Sequence, residues 1–290
     1  MKKKLRYVLI FSVIFTLGFG AGYLVFEKIN DLFKYGTNLN LSKEGAVITT
    51  LKSNILHEKR ELKIYLPTYY KLDQQKNYPV LYVLDGESQA RQLSDKLRVL
   101  AAVGKVPETI VVGIINTKRT RDFAPSYVRY GDKEQQKNGK ADRFLRFITE
   151  EVHPFIDQNY RLKENQQMLF GHSWGGVFCT YTLLERPNFF QAIFAHSPSF
   201  WAEDGIMIKK IDEFLSQREL PSTFFFMSLG EEESSEMEHF YEKADTLLNS
   251  KIRPPMILFT ERTRGADHKS TPDIASIRAF IEWGEYYQEK

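Results

Sequence analysis

The chain has a single cysteine, Cys179, in 290 residues. That excludes a disulfide within the chain, and no Cys/His spacing of a zinc ligand set is present. Charge of one sign is also scarce: 40 Lys and Arg face 37 Asp and Glu, a net +3 with a pI near 8.7. So even a balance argues against nucleic acid as a partner. No internal repeat and no low-complexity tract occurs, which excludes a solenoid. Hydrophobic residues make up 42% and charged residues 27%, ordinary values for a globular protein. The length allows one large α/β domain or two small ones.

What is present begins with Lys2-Lys3-Lys4-Leu5-Arg6, followed by the apolar run from Tyr7 to Phe26. About twenty uncharged residues suffice to cross a bilayer. A signal peptide shares the basic start, and Gly18, Gly20 and Gly22 could offer a cleavage site. Tyr23-Leu24-Val25-Phe26 prolongs the run and favours an uncleaved transmembrane anchor. No lipobox cysteine accompanies it. With the lysines held inside, either reading puts the rest of the chain outside the cytoplasmic membrane, anchored or secreted. The expected organisation is a basic region over 1–6, an anchor or signal over 7–26, a tether over 27–45 and one domain over 46–290.

Within that domain, Ala46–Leu56 and Lys59–Leu66 alternate apolar and polar, as half-buried antiparallel strands do. Continuous apolar runs follow at Val80–Leu84 and Thr109–Ile115, typical of strands covered on both faces. Helical patterns over Ala90–Val103, Phe144–Ile156, Val177–Leu184, Ile206–Leu215, Met237–Leu248 and Ile274–Tyr287 alternate with strands at 165–170, 192–195, 223–229 and 256–260. The alternation predicts a mostly parallel sheet with helices on both faces. A long polar loop spans Asn116 to about Lys140.

The organising stretch is Gly171-His172-Ser173-Trp174-Gly175-Gly176, between a buried strand and a helix. Gly-x-Ser-x-Gly in that setting is the signature of a nucleophile elbow, with Ser173 on a strained turn and helix amides facing a developing oxyanion. On such a sheet the order along the chain is nucleophile, acid, base. Of the histidines after Ser173, His196 comes too early to leave room for an acid and His239 sits inside an amphipathic helix. His268 lies in the loop between the last strand and the last helix, where the base belongs. The acid is expected in Gly230-Glu231-Glu232-Glu233, with Glu233 favoured, Glu232 second, and Asp267 a rival beside His268. The oxyanion donors are expected to be the backbone amides of Trp174 and of Glu87, after Asp85-Gly86. In the 116–140 loop, Arg119, Arg121 and Arg129 interleave with Phe123, Tyr127 and Tyr130. That mixture suits an anionic aromatic ligand such as a catecholate, although Arg121 and Asp122 could equally brace the loop.

With these residues placed, the chain resembles the esterase D / enterochelin esterase group of α/β-hydrolases. The resemblance rests on Tyr65-Leu66-Pro67, Tyr78–Gly86, Arg119–Pro125, Phe144–Tyr160, Gly171–Gly176, Ser197-Pro198-Ser199-Phe200-Trp201 and Gly230–Glu233, in order over about residues 46 to 288. Relatives of that group include siderophore trilactone hydrolases, S-formylglutathione hydrolases, feruloyl and acetyl-xylan esterases, and mycolyltransferases. The resemblance implies an α/β-hydrolase fold and serine esterase chemistry without naming the substrate; small polar esters are the expectation, and the triad mechanism requires no metal or cofactor. It supports Glu233 as the acid and adds Trp201 as a candidate substrate contact. An acyltransferase at the cell envelope using the same triad, a peptidase, and a binding protein on the same fold are the other expectations.

Overall fold

The computed structural model describes residues 45–125 and 139–288. The apolar run 7–26, the basic cluster before it and the tether up to residue 44 lie outside the described residues, as do Tyr127, Arg129 and Tyr130. Among the described residues, no helix is long and apolar enough to cross a membrane. Residues 48–290 form one packed unit.

Among the described residues, eight strands form one sheet in the order β1-β2-β4-β3-β5-β6-β7-β8. At one edge, β1 (Val47–Ser53) shows strict alternation of half-buried and exposed side chains, and β2 (Glu58–Tyr65) follows after a four-residue turn. β2 runs antiparallel to β4 (Ile110–Ile114). From β4 onward the pairings with β3 (Tyr78–Val83), β5 (Leu162–His172), β6 (Ala192–His196), β7 (Phe224–Gly230) and β8 (Ile257–Thr263) are all parallel. Every residue of β3, β4, β6 and β7 is buried, so their unbroken apolar runs reflect cover on both faces.

Among the described residues the α-helices are α1 (Gly86–Ala102), α2 (Arg119–Phe123), α3 (Ala141–Phe147), α4 (His153–Asn159), α5 (Trp174–Glu185), α6 (Ile206–Gln217), α7 (Ser235–Lys251) and α8 (Thr271–Gln288). From β3 the chain crosses through α1 to β4 on one side, while from β5 it crosses through α5 to β6 on the other. Right-handed crossovers in opposite directions put α1 and α5 on opposite faces. α1 packs with α8, and α5 packs with α2, α3 and α6. This is the α/β-hydrolase architecture.

Three departures from the sequence pattern have local causes. The loop from Asn116 contains the short helix α2, whose five residues are too few for periodicity to reveal. The helix expected over 144–156 runs from Ala141 to Asn159 with a π-helical stretch at Ile148–Val152. That stretch ends just before Pro154, which has no N–H for a regular ladder. Strand β5 starts earlier than its apolar run, because a register irregularity with Asn165 at φ 53° carries the polar residues Lys163–Gln166.

Candidate active site

Loops at the carboxyl ends of β3, β5, β6, β7 and β8 bring the candidate residues to one edge of the sheet, on either side of the point where strand order reverses. Ser173 follows β5 directly and opens α5 with φ 60° and ψ −118°. For a residue with a side chain this backbone is strained, the kind of strain that collects at functional sites. The elbow closes because Gly171 has no side chain: a Cβ there would sit 2.3 Å from the Gly175 carbonyl oxygen. At Gly175 itself an added Cβ would meet only ordinary contacts, the nearest at 3.5 Å. The Ser173 N–H donates to His196 O at 3.0 Å, tying the turn to the end of β6.

His268 lies in the turn between β8 and α8. Its Nε2 is 3.0 Å from Ser173 Oγ, and its Nδ1 is 2.8 Å from Glu233 Oε2. Glu233 sits just past β7 with its side chain 1% exposed. The other carboxylate oxygen, Oε1, accepts from Ser197 Oγ at 2.5 Å, Gly230 N at 3.0 Å and Thr271 Oγ1 at 3.3 Å. Burial by itself would push this carboxyl up. The hydrogen bonds from His268, Ser197 and Gly230, with the charge of His268, outweigh it and hold Glu233 below the usual carboxylate range.

The two rivals for the acid fall elsewhere. Glu232 is exposed, like Glu231. Asp267 turns its carboxylate onto its own loop, where Oδ1 accepts from Ser270 N at 2.8 Å, Ser270 Oγ at 2.6 Å and Lys269 N at 3.1 Å. It shapes the turn that presents His268, as Asp side chains commonly do.

Next to these residues, the His172 ring packs 4.6 Å from that of His268. Burial, followed by the neighbouring His268, lowers the His172 pKa to about 4. His196 is fully buried, with Nδ1 2.7 Å from Ser228 Oγ, and burial lowers it to about 3. Both rings are therefore neutral at pH 7.

For the oxyanion donors, Trp174 is the first residue of α5 and Glu87 the second of α1, positions whose N–H groups have no acceptor within their helix. Leu84 N donates to Phe170 O at 3.0 Å, so the Asp85–Glu87 turn leaves the sheet beside the strand that ends in the elbow. The Glu87 carboxylate accepts from Asn116 Nδ2 at 2.8 Å and Asn116 N at 3.2 Å.

The arginines expected to meet a ligand have carboxylate partners within the chain. Arg119 clamps Asp85 with two bonds of 2.6 and 2.9 Å and donates to His172 O at 3.2 Å, bracing the turn after β3 against the elbow. Arg121 binds Glu58 at 2.7 Å and Asp122 at 2.6 Å. In that cluster Arg60 and Asp122 form a pair with 0% exposure on both sides. Arg121 thus has the partners that the bracing alternative requires, and the Arg119 guanidinium is engaged by Asp85 while its side chain stays 34% exposed. Trp201 meets Trp174, the residue after Ser173, edge-on with ring centroids 6.3 Å apart. Sequence reasoning missed Ser199, whose hydroxyl is 3.1 Å from Ser173 Oγ, and the Ser197 and Thr271 hydroxyls on Glu233. Serines in an irregular loop carry no periodic signal.

The model of the family described as "Putative esterase" matches residues 53–237, more than half of the chain. The chain belongs to this esterase family. It is a carboxylic ester hydrolase of the serine hydrolase type. It is 30% identical over 207 residues to the ferri-bacillibactin esterase BesA of Bacillus subtilis (strain 168), covering 66% of this chain and 71% of that one. It is 28% identical over 162 residues to the siderophore enterobactin esterase of Emericella nidulans, covering 49% of this chain and about half, 52%, of the relative. Among solved structures, it resembles an IroE-like serine hydrolase from Shewanella oneidensis with a TM-score of 0.75 and 26% identity, covering 81% of this chain and 78% of that one.

Proposed function

We propose that this esterase works through a Ser173–His268–Glu233 triad and an acyl-enzyme, and that its substrates are small polar esters of the siderophore type. The observation that carries the triad is the pair of hydrogen bonds that link Ser173 Oγ, both His268 nitrogens and Glu233 Oε2 in one line. An ionised Glu233 can only accept, so the His268 Nδ1 carries the hydrogen and Nε2 offers its lone pair to the Ser173 hydroxyl. Ser173 attacks the ester carbonyl as His268 takes its proton. The amides of Trp174 and Glu87 receive the oxyanion, each contributing on the order of 3 kcal/mol. His268 then protonates the departing alcohol, and water hydrolyses the acyl-enzyme by the same route in reverse.

The substrate class is supported by the named activities of the relatives and by the aromatic pair that Trp174, the residue after Ser173, forms with Trp201. The test is hydrolysis of p-nitrophenyl acetate and butyrate by the wild type and by Ser173→Ala, followed by a panel of siderophore lactones, acetylated sugars and S-formylglutathione. Activity that disappears in the variant supports the triad; equal rates in both proteins would refute it. A panel in which the lactones are poorest would refute the substrate class. For residues 7–26 the proposed role is a membrane anchor, tested by whether the full chain stays with membranes after alkaline carbonate extraction.

A further inference from the structure

Ser199 is 2% exposed, and its hydroxyl lies 3.1 Å from the oxygen of the candidate nucleophile. The direction of that bond follows from the neighbouring ones. Ser173 has one hydroxyl hydrogen, and the His268 Nε2 lone pair at 3.0 Å takes it. The Ser199 hydroxyl must therefore donate to Ser173 Oγ. We propose, building on the serine-esterase reading above, that Ser199 is a second catalytic donor that stabilises negative charge on the Ser173 oxygen.

The charge in question appears twice in the reaction. In acylation, the Ser173 proton passes to His268 while the Oγ–carbon bond forms and the carbonyl electron pair moves to its oxygen. In deacylation, water adds to the acyl carbon and gives its proton to His268. The carbon–Oγ bond then breaks, its electron pair stays on Ser173 Oγ, and that oxygen takes the proton back from His268. Ser199 keeps its own proton throughout and points it at the oxygen as charge builds up.

The backbone holds Ser199 for this task. Ser199 N donates to Ser173 O at 3.3 Å, and Ala202 N donates to Ser199 O at 3.0 Å. Two residues earlier, Ser197 adopts φ 44° and gives its hydroxyl to Glu233. The tripeptide Ser197-Pro198-Ser199 thus bonds to the acid at one end and to the nucleophile at the other. It reaches α5 because Gly176 is bare: a Cβ there would stand 3.0 Å from Pro198 Cα.

The experiment compares the full chain with Ser199→Ala on p-nitrophenyl butyrate from pH 5 to 9, and measures the rate of inactivation by a fluorophosphonate. A hydrogen bond to a charged group predicts a fall in kcat/KM and in labelling rate of about ten- to a hundredfold. KM should stay within twofold, and the acid limb of the pH–rate profile should keep its midpoint. The pair Ser199→Thr and Ser199→Val, alike in shape, serves if the alanine variant folds poorly: the threonine variant should be at least tenfold faster than the valine one. Rates within twofold of wild type for Ser199→Ala, a shifted limb that accounts for the loss, or equal Thr and Val variants would overturn the proposal. Those outcomes leave the triad standing if Ser173→Ala is inactive. An active Ser173→Ala would instead refute the triad and this proposal together.

Discussion

Two histidines near the site make the protein sensitive to acid in a direction that can be worked out residue by residue. Burial and the adjacent His268 hold His172 at about 4, and burial, then His172 and Lys96, hold His196 at about 3. Both are neutral in the fold, while in the unfolded chain each binds a proton below about pH 6.5. Their contribution to stability is therefore complete above pH 6.5 and is lost as pH falls toward 4 and 3. For His172 the loss between pH 7 and pH 5 amounts to up to about 2 kcal/mol. A His172→Gln variant should lose correspondingly less stability than wild type over that interval in urea unfolding. Equal losses in the two proteins would show that His172 titrates alike in both states. Glu233 behaves in the same sense at lower pH: its depressed carboxyl contributes above the ordinary carboxylate range and ceases to as pH falls through its folded value.

Elements are joined near the site by charges drawn from distant parts of the sequence. Arg60 on β2 and Asp122 on α2 are fully buried together, with Glu58 and Arg121 completing the cluster. Removing one member of such a pair leaves a buried charge poorly compensated, a loss of about 3 kcal/mol or more. Asp122→Ala should therefore lower the unfolding free energy by that amount in chemical denaturation. A change below about 1 kcal/mol would mean that Glu58 suffices for Arg60. This cluster also explains why Arg121 reads ambiguously in the sequence: Glu58 is 63 residues away, and nothing local announces the pairing. The elbow was legible for the opposite reason, since Gly171, Ser173 and Gly176 stand within six residues and each has a steric or chemical role there. His268 was legible through chain order and its place before the last helix. Ser199 was not, because its function depends on β6 lying next to β5, a fact of topology. The early start of β5 was hidden by the polar residues that its irregular register accommodates.

At the scale of the whole molecule, the parallel sheet collects five loops at one edge, and every residue assigned to the site lies in the unit spanning 48–290. Alternating strand and helix patterns sufficed to anticipate that architecture, whereas the strand order came from pairings that no single segment encodes. Since the residues assigned to the site all lie in that unit, removal of residues 1–26 should leave kcat/KM on p-nitrophenyl butyrate within twofold of the full chain in detergent. A tenfold loss would mean that the N-terminal segment takes part in the active structure.

Ser173 as the nucleophile is tested most directly by covalent labelling. The wild type would be treated with a fluorophosphonate and its intact mass and esterase activity followed together. One adduct per chain is expected, mapped to Ser173 and formed in step with the loss of activity, with no adduct on Ser173→Ala. An adduct on another residue, or a fully labelled protein that still hydrolyses esters, would contradict it.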